Sequence, residues 1–297
     1  MPTSRHGLLL GFAAYGIWGF FPLYWRLLAE ATPLEILAHR VVWSVVFVAI
    51  LLAARRRWRT VRELTGQPRK LAGVSLAAVL IGVNWLTFIY GVASEQVVEV
   101  SLGYFVTPLI AVGLGVVVLN ERLRAAQWVA VGISALAVIV LTVDYGRLPW
   151  IALSLAVSFG LYGLVKKRLA LPALEGLLVE SAVLAPLALV YLGWLTTRGM
   201  PTFGHAGLGL TALLVVAGPV TAVPLLLFAG AANRIPLSIL GVLQYLAPIL
   251  HLAIGVLLFH EPMPAARLAG FELVWLALAV FSFDGIRTTR RSRLVTA

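Results

Sequence analysis

The chain has 297 residues, 61% of them hydrophobic and only 12% charged, with a formal net charge of +11 and no cysteine. So few charges cannot cover the surface of a water-soluble chain of this length, whereas a bilayer solvates apolar surface directly. The missing cysteines exclude disulfides, thiolate nucleophiles and cysteine metal sites.

After Met1–His6, which carries Arg5, the first apolar run covers about 7–28. It is longer than a signal-peptide core and lacks a small-residue cleavage site, so it reads as an uncleaved first span. Further runs of membrane-crossing length follow at about 36–54, 71–93, 100–119, 126–143, 149–165, 176–195, 208–231, 236–259 and 267–284. In hydrocarbon every backbone amide must bond within its own segment, so these runs are predicted as ten helices; the alternation of a barrel strand is absent. Prolines 108, 219, 224 and 248 predict kinks in spans 4, 8 and 9. The Gly7–Gly11 run, GLLLG, fits close helix packing. The tail from Arg287, RTTRRSRL, reads as a disordered, lipid-facing stop signal.

Basic residues sit in short loops between apolar runs, which is the pattern of topology signalling and anionic-lipid contact rather than nucleic-acid binding. With the N-terminus in the cytoplasm, the alternate segments hold eighteen of the 23 Lys and Arg, seven of them in 55–70. The intervening loops hold Arg147, Arg198 and Arg267. This asymmetry predicts a multi-pass inner (plasma) membrane protein with both termini cytoplasmic.

The sequence also repeats. A shift of 140 residues brings Pro108 onto Pro248, Gly115 onto Gly255, Glu121 onto Glu261 and Ala125–Ala126 onto Ala265–Ala266. A shift of 144 pairs Gly16 and Gly19 with Gly160 and Gly163. Five spans per half is odd, so the halves must cross the membrane in opposite senses. Loop charge agrees: NERLR from Asn120 is basic, and its counterpart HEPMP from His260 is not. The expected fold is therefore an all-α membrane protein of two inverted five-helix repeats, 1–147 and 148–286, followed by the basic tail 287–297. Inverted repeats recur in secondary transporters, with the solute site between the halves near the midplane.

Several runs carry a family resemblance: AYGIWGFFPLYWRLL from Ala14, EILAHRVVWS from Glu35, NWLTFIYGVASEQVVEVSLGYFVTPL from Asn84, SFGLYGLVKKRL from Ser158 and LGVLQYLAPILHLAIGVLLFHE from Leu240. Together they resemble the RarD-type members (EamA domain) of the drug/metabolite transporter superfamily, across nearly all ten spans. The loop after span 9 reads HEP where the family pattern is closer to GE. The resemblance implies a ten-helix fold of inverted halves, cytoplasmic termini and alternating access. It names no substrate.

Two charges stand out inside apolar runs, Arg40 and Glu180, at equivalent repeat positions. Such a group near a helix centre costs about 2.5–3.5 kcal/mol on insertion scales. Arg40 lies ~6 Å below the outer boundary and Glu180 about as far above the inner one, which leaves nearly 20 Å between their backbones. Arg40 is therefore expected to pair with an outer carboxylate, Glu99 first, then Glu95 or Glu35. Glu180 is expected to meet Lys166 or Arg234; the competing reading for both charges is snorkelling to headgroups. Glu180, Glu99 and Arg40 are candidates for coupling or gating, with a proton as the candidate coupling ion. The candidate cavity lining is Tyr15, Trp18, Arg40, Asn84, Tyr90, Tyr104, Ser158, Tyr162, Gln244, Tyr245 and His251, against interhelical hydrogen bonding and aromatic packing as the bland alternatives. Asn84 and Gln244 should face protein or water, since an amide facing lipid leaves donors unpaired.

No G-x-x-x-x-G-K-[ST] motif and no soluble stretch of ATPase size is present, so a carrier would draw on a gradient or exchange. No cofactor or metal is expected. A membrane enzyme acting on lipids would need clustered carboxylates or a nucleophile with its base; Asp144 and Asp284 are far apart, and His260–Glu261 lacks the second histidine of a zinc helix. A channel is the other alternative, and no repeated pore-loop segment supports it. The reading that follows is a secondary carrier of a small metabolite or drug-like solute, exporting or exchanging it.

Overall fold

The computed structural model describes residues 5–56, 58–119, 124–169 and 171–295 of the chain. Among them ten helical segments are long and apolar enough to cross a membrane. The first is α1 (Arg5–Gly19), continued past Phe20 by α2 (Phe21–Arg26). Then come α3 (Pro33–Ala54), the short α4 (Trp58–Thr65), α5 (Pro68–Ala93), α6 (Val97–Leu119), α7 (Ala125–Tyr145), α8 (Trp150–Leu169), α9 (Ala173–Thr197) and α10 (Leu208–Ala232). The ninth span is α11 (Leu237–Leu243), α12 (Leu246–Ala253) and a π-helical turn at Ile254–Leu258; α13 (Ala265–Val295) is the tenth.

Local chemistry sets these boundaries. Thr32 caps α3 by accepting from the Glu35 amide, and Pro33 supplies a first-turn residue whose missing donor costs nothing there. Gly146 ends α7 at φ 62, a left-handed conformation in which glycine carries no Cβ penalty. Pro22 cannot donate to the Trp18 carbonyl four residues back, and the first span breaks at Phe20. Pro248 does the same to the Gln244 carbonyl, and the ninth span breaks at Gln244–Tyr245. The kinks expected in spans 4 and 8 are not breaks: α6 runs on through Pro108, and α10 through Pro219 and Pro224. The tail differs too. Nothing between Arg287 and Val295 stops a helix, and α13 continues to Val295 instead of ending in a disordered segment.

The repeat is visible in the helix starts. α3 and α9, α5 and α10, α6 and α11, and α7 and α13 each begin 140 residues apart. Packing follows the same symmetry: α3 lies on α9, α7 on α13 and α6 on α12, while α1 on α10 answers α8 on α5. Glu121 and the rest of 120–123, which carry one anchor of the repeat, lie outside the described residues. Apolar side chains such as Val143, Leu187 and Leu208 are largely exposed, as lipid-facing positions must be. The glycines of the GLLLG run let helices touch. A Cβ on Gly7 would stand 2.7 Å from the Ile235 side chain, and one on Gly11 2.7 Å from Leu243.

The helix ends fall on two faces. The basic face carries α4 and the Lys166–Arg168 end of α8; the far face carries the turns at 27–32, 94–96, 146–149, 198–207 and 259–264. On the far face Glu261 clamps the ninth span to the fourth. Its two carboxylate oxygens accept from the Val97 and Val98 amides at 2.6 and 2.7 Å, which caps α6. His260 turns the chain with φ 54 to aim this side chain back into the protein. Burial holds the Glu261 carboxyl above the ordinary carboxylate range, with the two amide donors acting against that shift. Replacing Glu261 by Ala should destabilise the detergent-solubilised protein by about 1–2 kcal/mol in an unfolding titration, the usual worth of a cap. Glu261→Gln, which keeps one acceptor oxygen, should lose less; equal losses would mean that the clamp contributes only through packing.

Candidate functional site

Arg40, Asn84, Trp85, Tyr104, Ser158 and His251 all lie seven to nine residues, ~10–14 Å, inside the far-face ends of their helices. Five spans thus bring their polar and aromatic side chains into one layer. Asn84, 1% exposed, is its best-satisfied member. Its amide donates to the Leu155 carbonyl and to Ser158 Oγ, both at 3.1 Å, and its oxygen accepts from the Tyr104 hydroxyl at 3.2 Å. The amide therefore faces protein.

His251 occupies the other wall. Its Nε2 lies 3.0 Å from the Trp18 carbonyl, the one that Pro22 leaves without a helical donor. A carbonyl only accepts, so Nε2 carries the hydrogen and Nδ1 is a bare acceptor; Nδ1 is buried with no partner. Phe88 joins the two walls, with ring centroids 5.3 Å from His251 and 5.9 Å from Tyr104. Trp18 and Tyr104 remain partly accessible.

Arg40 is 4% exposed. Its helix begins at Pro33, three residues earlier than the apolar run suggested, which places it deeper than the ~6 Å read from the sequence. The expected carboxylate partner is not there. Glu99 instead accepts from Arg147 and from the Ile151 amide, capping α8; Glu95 pairs with Arg26; Glu35 accepts from the Thr202 and Phe203 amides. Each of these carboxylates lies within reach of a free helix N-terminus, a loop amide or a rim arginine, and those donors take it. The Arg40 guanidinium is held by aromatic faces, 4.0 Å from the Trp85 ring centroid, 5.0 Å from Trp25 and 5.8 Å from Phe21. Its Nε donates to Thr221 Oγ1 at 2.9 Å.

Glu180 meets Lys166 at 2.8 Å, one of its two expected partners, and also accepts from the Tyr162 hydroxyl at 3.1 Å. Tyr162 therefore belongs to this second network, nearer the basic face. Four other candidates sit elsewhere. Tyr90 is 40% exposed and packs on Trp150 at the far-face rim, as a belt aromatic does. Gln244 and Tyr245 interact with each other beside Ser282, and Tyr245 lines an apolar groove of about 800 Å³ between the ninth and tenth spans. Tyr15 packs edge-on against Trp18 and Phe228 between α1 and α10. Residues that sequence reasoning passed over are Phe21, Tyr24, Trp25, Trp85, Phe88 and Thr221. The FFPLYW run and the Trp beside Asn84 signal four of them, Phe88 and Thr221 carry no local signal, and span aromatics are usually packing.

A family described as the EamA-like transporter family matches residues 5–143. The chain is 55% identical to Protein RarD of Streptomyces exfoliatus over 98% of this chain and 92% of that one. It is 44% identical to an uncharacterized transporter of Pseudomonas aeruginosa, over 97% and 96% respectively. A solved structure titled only as the crystal structure of a protein aligns with TM-score 0.60 at 20% identity, over 93% of this chain and 98% of that one, which supports the fold.

The Lys166–Glu180 pair, 22% and 2% exposed, is buried enough for its partners to be coupled. Glu180→Gln or Lys166→Met alone should each destabilise by about 3 kcal/mol or more, because each leaves a buried charge unpaired. The double variant should be more stable than either single one. Additive losses in that cycle, read by unfolding in detergent, would show that the two side chains do not interact.

Proposed function

The chain belongs to the EamA-like transporter family, in its RarD group, and on that premise we propose that it moves a small metabolite or drug-like solute across the membrane by alternating access. The chain is a multi-pass membrane protein, and its proposed halves are 1–147 and 148–286. The distribution of Lys and Arg supports a cytoplasmic basic face and cytoplasmic termini. Energy would come from an ion gradient or from exchange, since no nucleotide-binding motif is in the sequence. Glu180, the acid at the inner edge of the aromatic path from Tyr104 through Phe159 to Tyr162, is the candidate for a coupling proton.

One observation supports the reading: among the described residues, polar contacts between the halves are concentrated on the far face, and the basic face has fewer of them. α6 packs against α12 and the π-helical turn, on the far-face side of the ninth span. Near that face Gly19 is so close to Leu250 that a Cβ would stand 2.4 Å from its side chain. The matching position on the basic side is Gly163, where a Cβ would find nothing within 4 Å. Polar tethers between the halves are more numerous on the far face, at Glu261 to Val97 and Val98, Ser101 to the Pro248 carbonyl, and Arg267 to Asp144, while Arg124 to Asp284 ties them on the basic face. A carrier closed outside and open inside has this asymmetry, and the inverted repeat supplies its mirror state.

The cysteine-free chain makes the test clean. Single cysteines at Arg59 and Met200 should react with an impermeant thiol reagent from the cytoplasmic and the external side respectively. A cysteine at Gly163 should react from the cytoplasmic side, and a transported solute should change its rate. Proteoliposomes should show saturable solute flux. Ion current under an imposed voltage, with no saturable solute, would replace the carrier reading by a channel.

A further inference from the structure

We propose that the solute carries an oxyanion, a carboxylate or a phosphate ester, and that Arg40 is the group that binds it. This inference rests on the carrier reading. The first support is the missing counterion. The membrane-level carboxylates that could reach Arg40 are committed to amides and other cations. The second is geometric. Among the described residues only Nε has a hydrogen-bond partner, Thr221. The two terminal nitrogens have none among the described residues, yet they are not among the wholly enclosed unpartnered atoms. The indole N–H of Trp25, whose ring lies against Arg40, is buried without an acceptor. A fork of two N–H groups with a further donor nearby matches a planar oxyanion.

The third support comes from the repeat. Glu180, at the equivalent place in the other half, has its charge met by Lys166 inside the protein. Arg40 has no such partner, and it sits in the layer with Asn84, Tyr104 and His251 rather than at the rim. The guanidinium lies over the Trp85 and Trp25 rings, contacts that supply no acceptor oxygen to its terminal N–H groups. A purely structural arginine would be expected to satisfy its edge within the protein.

The test uses the full chain in detergent, with acetate, benzoate, indole-3-acetate and methyl phosphate, and the carboxamides of the first three as neutral isosteres. At least one anion should give a saturable change in tryptophan fluorescence and raise the unfolding temperature, while its isostere does not. Arg40→Gln should weaken that anion at least tenfold, and Arg40→Lys should recover part of the loss through charge without the fork. The wild-type comparison of anion with isostere needs no variant, so it decides even if Arg40→Gln fails to fold. Anions that bind no better than their isosteres overturn the assignment, as does an Arg40→Gln protein that folds and binds the anion unchanged. Flux separates the two readings. Saturable transport of neutral or cationic solutes with KM unaffected by Arg40→Gln would leave the carrier standing and remove the anion; anion binding with no flux in liposomes would do the reverse.

Discussion

Hydrocarbon offers no hydrogen-bond partner, so each backbone group that a helix leaves open must find one inside the protein, and the far face is organised by that demand. Pro22 opens the Trp18 carbonyl, and His251 from the ninth span closes it. Ser101 of α6 donates to the Pro248 carbonyl beside the break in that same span. The first turns of α6 and α8 have free amides, and Glu261 and Glu99 take them. Acidic side chains that a charge-pairing argument would assign to Arg40 are thus occupied by backbone. A cap and an ion pair compete for the same oxygens, and in a medium without water the cap has the stronger claim because an amide cannot move away.

The buried guanidinium is tolerable for a calculable reason. Its insertion cost of about 2.5–3.5 kcal/mol is of the same order as three cation–π contacts at ~0.5–2 kcal/mol each with one charged hydrogen bond of ~1.5–3 kcal/mol. These contacts hold Arg40 in place without neutralising it. Trp25, Trp85 and Phe21 come from the first and third spans, and Thr221 from the eighth, so the arginine of the second span ties four spans together. An aromatic cage leaves the guanidinium charge in place, whereas a carboxylate partner would have neutralised it.

Much of this architecture was legible in the sequence, and the reasons differ by level. Ten spans follow from apolar length, and their inversion from the 140-residue shift with opposite loop charge, because hydrocarbon permits one backbone solution. The Glu180–Lys166 contact was also readable, since both residues sit within two turns of the same face on successive spans. The surroundings of Arg40 were not. Sequence distance does not reveal that α3 lies backbone to backbone with α10, where a Cβ on Gly218 would stand 2.3 Å from the Trp43 carbonyl, nor that this brings Thr221 to Arg40. Tyr90, Gln244 and Tyr245 were misplaced for the same reason. A polar or aromatic residue in a span declares its depth by position, but its azimuth depends on packing that periodicity leaves open when every face is apolar.

The same constraint bears on how such a protein changes state. The far-face tethers between the halves are amides, a carbonyl, a hydroxyl, carboxylates and a guanidinium already paired, so opening that face would require water to replace each partner as it leaves. Opening and hydration of the far side are therefore one event rather than two. A solute shifts that equilibrium only through a difference in its affinity for the two states. An anion against Arg40 adds charge ~10 Å beneath the seal, in a layer whose own donors, Asn84 and Ser158, are already engaged with each other. Its remaining oxygens must be met either by water entering from an open side or by re-pairing of Tyr24, Tyr104 and Trp25. In the proposed carrier, a difference between the faces in which of these is supplied would make binding differ between the inward and outward states, and binding at the arginine would then drive motion of the two halves.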